Sequence, residues 1–483
     1  MKALSHFRFD SWGVLAPPLG TSAAFVLLCL LVLTAPIAWG GVLPGGTFVI
    51  EVLACSAAAL SFTAPSLASA PATPRVPVVG LALLAFLGAL QLVPAPISLL
   101  DRVSPGSAAV YRETATVLAS QGAPSPPARV SIAPTETASQ LLFVLALLGA
   151  FLTARRLLVT RPRRRVFLGA LFLSAVTSVV WATAFDEAQR RHGPFVNPNH
   201  LAGYLQVSVA PALALIWLAL VRTQDSGASL ADEADRLERR ALPVVLATLL
   251  WATLAGGIIL TQSRAGLAAA VLGTLFVLSC LVARRRAGRR SAAALPAAVA
   301  LAAGIGFVVF STGLFPLTRA LETKPGDLGV ETRLGIWRGS LEAFRSFPVL
   351  GSGLGAFPEA FRRVQPPGLT GLVEQAHSEP LQILVTGGFV GVLLGTAVLG
   401  GCALFLLRAA LRPGHREETA FLLGALGAIV SLSLHGLVEF NFSIPAIPVT
   451  LAALAGGGTA AAAAVTGTRR RVAADAVTRP ART

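Results

Sequence analysis

The stretch LQILVTGGFVGVLLGTAVLGGCALFLL, residues 381–407, contains no charged residue. A helix that crosses the hydrocarbon core of a bilayer needs roughly 20 mostly apolar residues, and this stretch exceeds that length. Within lipid, a single segment can satisfy all of its backbone hydrogen bonds only as a helix. The stretch therefore predicts a transmembrane helix, and comparable stretches recur along the chain.

The composition indicates that most of the chain is of this kind. Of 483 residues, 54% are hydrophobic and 13% are charged, and the mean hydropathy is +0.72. One soluble core cannot bury so much apolar surface, so we predict an all-α polytopic membrane protein. About twelve spans of suitable length can be recognised. They lie at 21–39, 42–62, 76–93, 138–153, 166–185, 201–221, 242–260, 265–282, 293–310, 381–407, 421–437 and 444–465.

The distribution of basic residues orients these spans. Cytoplasmic loops collect Lys and Arg, and roughly two thirds of the 39 Lys and Arg residues fall in segments on one side when the N-terminus is placed inside. Dense runs such as RPRRR (161–165) and RRRAGRR (284–290) occur on that side only. The net charge of +16 is thereby explained by retention of the inner loops, and no nucleic-acid-binding signature accompanies it.

The spans and loops predict a simple domain organisation. Two outer loops are long enough to have structure of their own, and the second contains short helices. The predicted parts are a cytoplasmic N-terminus at 1–20, nine transmembrane helices within 21–310 with an outer loop at 94–137, a large outer loop at 311–380, three transmembrane helices within 381–465 and a basic cytoplasmic tail at 466–483.

Several sequence features carry little functional information. The cysteines lie inside predicted spans without CxxC spacing or a histidine partner, so we expect neither a metal site nor a structural disulfide. These residues are Cys29, Cys55, Cys280 and Cys402. The GSGLG stretch at 351–355 lacks the GK[ST] of a phosphate-binding P-loop, and we interpret it as a tight turn.

The second outer loop contains an amphipathic segment. From residue 331 the sequence reads ETRLGIWRGSLEAFRSFPVLGSGLGAF, in which apolar residues recur at helical spacing beside a polar stripe. The apolar positions are Leu334, Trp337, Leu341 and Phe344, and the polar ones are Arg338, Glu342 and Arg345. This pattern predicts a helix near the membrane surface that ends at Pro348.

The end of the same loop places His377 just before a helix. Pro380 suits the first turn, and Ser378 or Glu379 can cap it. The positive end of a helix disfavours an imidazolium, so we expect the His377 ring to be neutral and able to accept a proton. An ordinary interfacial histidine bonded to the backbone is the alternative interpretation.

Further polar residues gather on the same predicted face. Arg264 lies in the hairpin LTQSRAGL, against the positive-inside bias, and Arg333 and Arg338 flank Trp337. Guanidinium groups are suited to bidentate contacts with phosphate, although an arginine at a helix end also reaches the interface at little cost. The remaining candidates are Asn197, Asn199, His200, Ser263, Ser378, His435, Glu439 and Asn441. Together they predict a basic cavity for an anionic, membrane-presented substrate.

The motifs in this order resemble those of the O-antigen ligase and polysaccharide-repeat polymerase superfamily. The resemblance extends from about residue 194 to residue 445. It rests on FVNPNHLAGYL (195–205), LTQSRAG (260–266), RLGIWRGSLEAFRSFPVLGSGLGAF (333–357), AHSEPLQILVTGGFVG (376–391) and HGLVEFNF (435–442).

The resemblance implies a GT-C-like, inverting and metal-independent glycosyltransferase that needs no cofactor. Its donor would be an oligosaccharide on undecaprenyl diphosphate, and an acceptor sugar hydroxyl would attack the anomeric carbon. Carried over by motif, Arg264 and Arg333 would bind the diphosphate, and His377 would activate or orient the acceptor. Arg338, Asn199 and Glu439 match more loosely. The expected location is a bacterial inner membrane with the site facing the periplasm, and a flippase and a chain-length regulator are the implied protein partners.

The resemblance does not specify which acceptor receives the glycan. Superfamily members act as polymerases on a lipid-linked repeat, as ligases on lipid A core sugar, or as transferases to protein. The first outer loop offers room for a second lipid-linked substrate, which favours a polymerase of a surface or secreted polysaccharide. From another class, a lipid-linked oligosaccharide flippase also has about twelve helices, but its charges tend to lie near the bilayer midplane. A non-enzymatic scaffold would not need His377 or the arginines individually.

Overall fold

The structure is a computed structural model in which residues 19–63, 75–187, 190–224, 233–285, 330–369 and 371–478 are described. These residues form α-helices and one 3-10 turn, Asn441–Ser443, and contain no strand. The all-α prediction is therefore confirmed. The predicted span at 293–310 and the loop residues 311–329 lie outside the described part of the chain.

Ten of the described helices are long and apolar enough to cross a membrane. The helices, in chain order, are α1 Leu19–Thr34, α2 Ile37–Gly40, α3 Pro44–Thr63, α4 Arg75–Leu92, α5 Ile97–Val103, α6 Pro105–Ser120, α7 Pro134–Leu157, α8 Arg161–Ala184, α9 Pro198–Gln224, α10 Glu233–Leu260, α11 Arg264–Arg285, α12 Val330–Ser346, α13 Phe357–Arg362, α14 Glu379–Ala410, α15 Arg416–His435 and α16 Ala446–Thr478. The helices outside this set of ten are α1 and the short helices α2, α5, α6, α12 and α13.

Among the described residues, the helices overlap the predicted spans, and the clearest difference is at the first one. The prediction of a helix over 21–39 is too long, because α1 ends at Thr34. The chain then makes a short turn in which Ala38 and Trp39 have φ values of 58° and 61°. Left-handed residues cannot continue a right-handed helix, so the chain reverses here before α3.

The centre of the bundle is made by α15 and α16, which are the most buried of the long helices. Small residues permit this close packing, as is usual for helices in membranes. A Cβ atom on Gly456 of α16 would lie 2.2 Å from the carbonyl oxygen of Phe151 in α7. A Cβ atom on Gly424 of α15 would lie 2.7 Å from Pro211 of α9. Glycine at these two positions therefore allows direct backbone contact between neighbouring helices.

The two ends of the bundle differ in chemistry. The basic end, where α8 and α15 begin and α9 and α11 end, contains a buried ion pair in which Arg164 Nη2 lies 2.6 Å from Glu418 Oε1. Arg164 also donates to the carbonyl oxygens of Leu158 and Val159, which follow the end of α7. Burial of these two charges is tolerated because each is paired and hydrogen-bonded.

The loop-rich end, where α9, α11 and α14 begin, includes the short helices α5, α6, α12 and α13. Its packing depends on a break in α14 at Gly388, which has φ 63° and ψ −163°. The GSGLG segment lies in this break: Phe389 N donates to Pro348 O at 2.9 Å, and Ser352 N donates to Val385 O at 2.9 Å. The interpretation of GSGLG as a turn is thus confirmed, since its three glycines all have positive φ.

A single buried glutamine connects this break to the rest of the loop-rich end. Gln91, fully buried near the end of α4, donates through Nε2 to Leu350 O at 2.6 Å and to Thr386 O at 3.0 Å. Its Oε1 accepts from Leu354 N at 2.9 Å. Backbone groups exposed by a broken helix must find partners, and Gln91 supplies one bond to α14 itself and two to the segment at 350–354 that lies in the break.

The amphipathic helix α12 is present, but its buried face differs from the prediction. Ile336 and Ala343 are buried in a cluster with Phe347, whereas Leu341 is 48% exposed. The prediction that Leu341 lies on the apolar face is therefore wrong. The positions of the large apolar side chains indicated that one face of α12 is buried. The close approach of α13 instead buries the neighbouring face, where Gly339 lies against Phe361.

The break in α14 leads to a test of stability. Gly388→Ala should lower the unfolding temperature, because its backbone conformation is essentially restricted to glycine and a Cβ atom would lie 2.4 Å from Val349 O. We expect a cost of about 1–3 kcal/mol for the strain alone. Thermal unfolding of the purified protein, followed by fluorescence, measures it.

Gly400→Ala is the matched control, since Gly400 lies in the same helix and a Cβ atom there would meet nothing within 4 Å. It should leave stability unchanged or raise it by up to about 1 kcal/mol. Equal unfolding temperatures for the two variants would show that the break does not hold the loop-rich end together.

Candidate functional site

Glu439 is the centre of a polar cluster at the loop-rich end. Its side chain is 1% exposed, and the residue lies four positions after the end of α15. Oε1 accepts a hydrogen bond from Arg333 Nη2 at 2.8 Å and another from Asn199 Nδ2 at 2.6 Å. His377 Nδ1 lies 3.5 Å from Oε2. We refer to Glu439, Arg333, Asn199 and His377 as the Glu439 cluster.

The cluster keeps the Glu439 carboxylate ionised. Burial by itself would raise the pKa of Glu439, but His377 and Arg333 beside it outweigh that effect and lower the pKa to about 2. At 3.5 Å, the contact with His377 is longer than a normal hydrogen bond. A carboxylate that is ionised at all working pH values would stabilise positive charge on His377 and hold Arg333.

The cluster leaves polar groups of Arg333 and His377 for a ligand. Arg333 uses Nη2 for Glu439, while its Nε is buried and has no hydrogen-bond partner in the described part of the chain. The Nδ1 atom of His377 faces Glu439, so a ligand would meet the other ring nitrogen, Nε2. A guanidinium group and an imidazole held on one carboxylate can bind an anion and accept a proton side by side.

His377 itself has an unusual backbone. Its φ is 49°, in the left-handed region that residues other than glycine seldom adopt. The rings of His377 and His200 both make edge-on contacts with Phe440, with centroid separations of 4.8 Å and 4.7 Å. Strained residues held by their surroundings are concentrated at functional sites, so the conformation supports a special role for His377.

The helix that follows His377 begins as the sequence predicts, but it is not capped as predicted. Ser378 occupies the cap position with extended backbone and makes no capping hydrogen bond through its side chain. Glu379 Oε1 instead accepts from Phe442 N at 2.6 Å. The capping prediction for Ser378 and Glu379 is therefore wrong, because a backbone N–H group of the neighbouring 441–443 segment donates to the Glu379 carboxylate instead.

Arg264 is the first residue of α11, and its side chain is exposed. The preceding Gln262 has φ 52°, so this hairpin, like His377, contains a left-handed residue. Ala265 packs in a small apolar cluster with Trp337 and Val438. Since Val438 precedes Glu439, this packing brings the start of α11 beside the Glu439 cluster.

Two of the predicted site residues act as helix caps. Asn197 Oδ1 accepts from Asn199 N at 2.8 Å at the start of α9. Ser263 Oγ accepts from Gly266 N at 3.1 Å at the start of α11. These bonds satisfy backbone donors of the first turn, and they orient two helix N-termini at the loop-rich end. Such N-termini favour negative charge nearby.

Three more predicted residues lie beneath the cluster. His200, His435 and Asn441 are buried, and none of their side-chain polar atoms has a hydrogen-bond partner among the described residues. A Cβ atom on Gly203 would lie 2.4 Å from Asn441 Oδ1, so a glycine is needed to admit the Asn441 side chain. Arg338, by contrast, is exposed on α12 and does not contact Glu439.

Arg190 is a site residue that the sequence did not predict. Its Nη2 donates to Asn199 Oδ1 at 3.2 Å, and its Nε lies 3.4 Å from Thr261 O in the hairpin before α11. Arg190 therefore connects the Arg264 hairpin to the Glu439 cluster. Its position five residues before the predicted motif FVNPNHLAGYL was the available signal, but Arg191 beside it made the choice ambiguous.

One family model matches part of the chain. Residues 248–396 match the Wzy_C family model, described as O-antigen ligase. The matched range contains Arg264, Arg333 and His377, while Asn199 and Glu439 lie outside it. No curated protein matches the chain. The match supports the resemblance seen in the motifs, and it covers under a third of this membrane protein.

Proposed function

We propose that the protein transfers a glycan from undecaprenyl diphosphate to an acceptor sugar hydroxyl at the periplasmic face of a bacterial inner membrane, as a polymerase of a surface or secreted polysaccharide. The observation that best supports this function is the Glu439 cluster. It holds a guanidinium group and an imidazole on one buried carboxylate, next to the start of the helix that begins with Arg264.

The proposed reaction is a single inverting displacement. The acceptor hydroxyl oxygen attacks the anomeric carbon while the bond from that carbon to the diphosphate oxygen breaks. The hydroxyl proton passes to His377 Nε2, because Nδ1 faces Glu439. The ionised Glu439 stabilises the resulting imidazolium. No metal ion is required in this scheme.

The arginines would act on the leaving group. Undecaprenyl diphosphate gathers negative charge as the glycosidic bond breaks, and donors already in place lower the energy of that state. Arg333 is held by Glu439, and Arg264 begins a helix whose N-terminus also favours an anion. Several N–H groups would therefore surround the departing diphosphate.

The outer loop at 94–137 favours a polymerase. This loop packs against the chain after α12: Ile132 N donates to Ser352 O at 2.9 Å, and Glu113 of α6 pairs with Arg363. A folded platform beside the site can support a second lipid-linked glycan as acceptor. The proposed protein partners are a flippase that delivers the donor and a regulator of chain length.

Reconstitution tests this function. The purified protein in liposomes is given an undecaprenyl-diphosphate oligosaccharide, either alone or with lipid A core acceptor, and products are separated by gel and mass analysis. We expect a ladder of longer lipid-linked glycans from the donor alone. Transfer only in the presence of the core would identify a ligase, and movement of donor across the bilayer without transfer would favour a flippase.

The role of His377 has a separate test. His377→Ala should reduce transfer by about 100-fold to 10,000-fold, the range for loss of a positioned base. His415→Ala is the matched control, because His415 is exposed at the basic end. Initial rates are compared at equal amounts of folded protein. Near-normal transfer by His377→Ala would exclude His377 as the base.

Arg264 is tested in the same assay. Arg264→Ala should reduce transfer by about 100-fold or more, as expected when a preorganised donor to a developing anion is removed. Arg264→Lys should also be impaired, because an ammonium group cannot make a bidentate contact. Arg345→Ala, which removes an exposed guanidinium group from α12, is the control. Full rescue by lysine would show that charge alone is sufficient.

A further inference from the structure

The basic end contains a second site, distant from the Glu439 cluster. A cavity of about 220 Å³ lies among α8, α9 and α15. Four arginines lie around it: Arg161, Arg164, Arg165 and Arg222. We call it the basic cavity.

The charges around the basic cavity are not balanced. Arg161 and Arg164 donate to Glu418 Oε1 at 3.0 Å and 2.6 Å, while Arg165 and Arg222 both donate to Glu417 Oε1. Four guanidinium groups thus share two carboxylates, Glu417 and Glu418. The excess positive charge is concentrated in a small volume, and an added anion would relieve the repulsion.

The remaining walls of the basic cavity are apolar. Leu168, Leu215 and Phe421 line it, together with Pro211, which interrupts the hydrogen-bond ladder of α9. Val166 and Leu220, next to the arginines in the chain, are 57% and 46% exposed. The site therefore combines a basic rim with apolar walls and exposed apolar helix surface.

The position of the basic cavity corresponds to a headgroup region. Arg161 and Arg164 lie in the first turn of α8, and Arg222 is at the last residue of the α9 span. The sequence places this end on the cytoplasmic side, where anionic lipids attract basic residues. A soluble anion would explain the rim but not the apolar walls that continue along membrane-spanning helices.

We propose that the basic cavity binds the phosphodiester headgroup of an anionic phospholipid, with its acyl chains along the exposed apolar surface of α8 and α9. Arg165 and Arg222 are 64% and 52% exposed and would contact the phosphate. Arg164 is buried and bonded to backbone carbonyls, so it would attract the phosphate without contacting it. This site is independent of the proposed transfer reaction at the opposite end.

The test uses the full-length protein in detergent, titrated with phosphatidylglycerol and followed by native mass spectrometry. Arg165→Gln/Arg222→Gln should weaken phosphatidylglycerol binding by roughly tenfold or more, since each basic residue near a membrane surface contributes appreciably to lipid binding. Arg408→Gln/Arg412→Gln makes the same change of charge at exposed positions that do not line the cavity. This control should bind as the unchanged protein does.

Leu215→Trp is a second variant, which fills the basic cavity from its apolar wall without changing the charge. It tests lipid binding if the double variant does not fold. It too should lose bound phosphatidylglycerol. Unchanged binding in the folded variants would overturn the proposal. So would equal binding of phosphatidylcholine with the same acyl chains, or displacement of phosphatidylglycerol by inorganic phosphate, which would indicate a site for a small soluble anion.

Discussion

The buried carboxylate of Glu439 is the interaction on which the loop-rich end depends. A carboxylate removed from water costs several kcal/mol unless it is paired and hydrogen-bonded. Its partners come from three other parts of the chain: Asn199 from α9, Arg333 from α12 and His377 from the segment before α14. Those parts must therefore come together when the chain folds, and the residues best suited to anion binding and proton transfer are assembled with them.

The surrounding architecture positions the parts of this cluster. The break in α14 at Gly388 admits the segment after α12, and Gln91 satisfies the exposed backbone groups. This arrangement fixes α12, and hence Arg333, relative to α14, which follows His377. At the opposite end, the pair of Arg164 and Glu418 secures α8 against α15. Charged groups thus lie at the two ends of the bundle, and close-packed small residues lie between them.

The sequence predicted the helices well because long apolar runs have one structural solution in lipid. It also indicated Arg333, His377 and Glu439, whose polarity is unusual beside such runs. Features that depend on tertiary partners were less accessible. Glu379 did not cap its helix because Phe442 N takes its carboxylate, and Leu341 is exposed because α13 packs on the adjoining face. The sequence could not separate Arg190 from the neighbouring Arg191, and the contact with Asn199 distinguishes it.

A double-mutant cycle between Glu439 and Arg333 tests most directly whether Glu439 positions the site. Transfer rates are measured for Glu439→Gln, Arg333→Gln and the double variant, each shown to be folded by gel filtration. If Glu439 acts by holding Arg333 and His377, Glu439→Gln alone should abolish most of the transfer, and adding Arg333→Gln should cost little more. Wild-type transfer by Glu439→Gln, or losses that multiply in the double variant, would contradict this account.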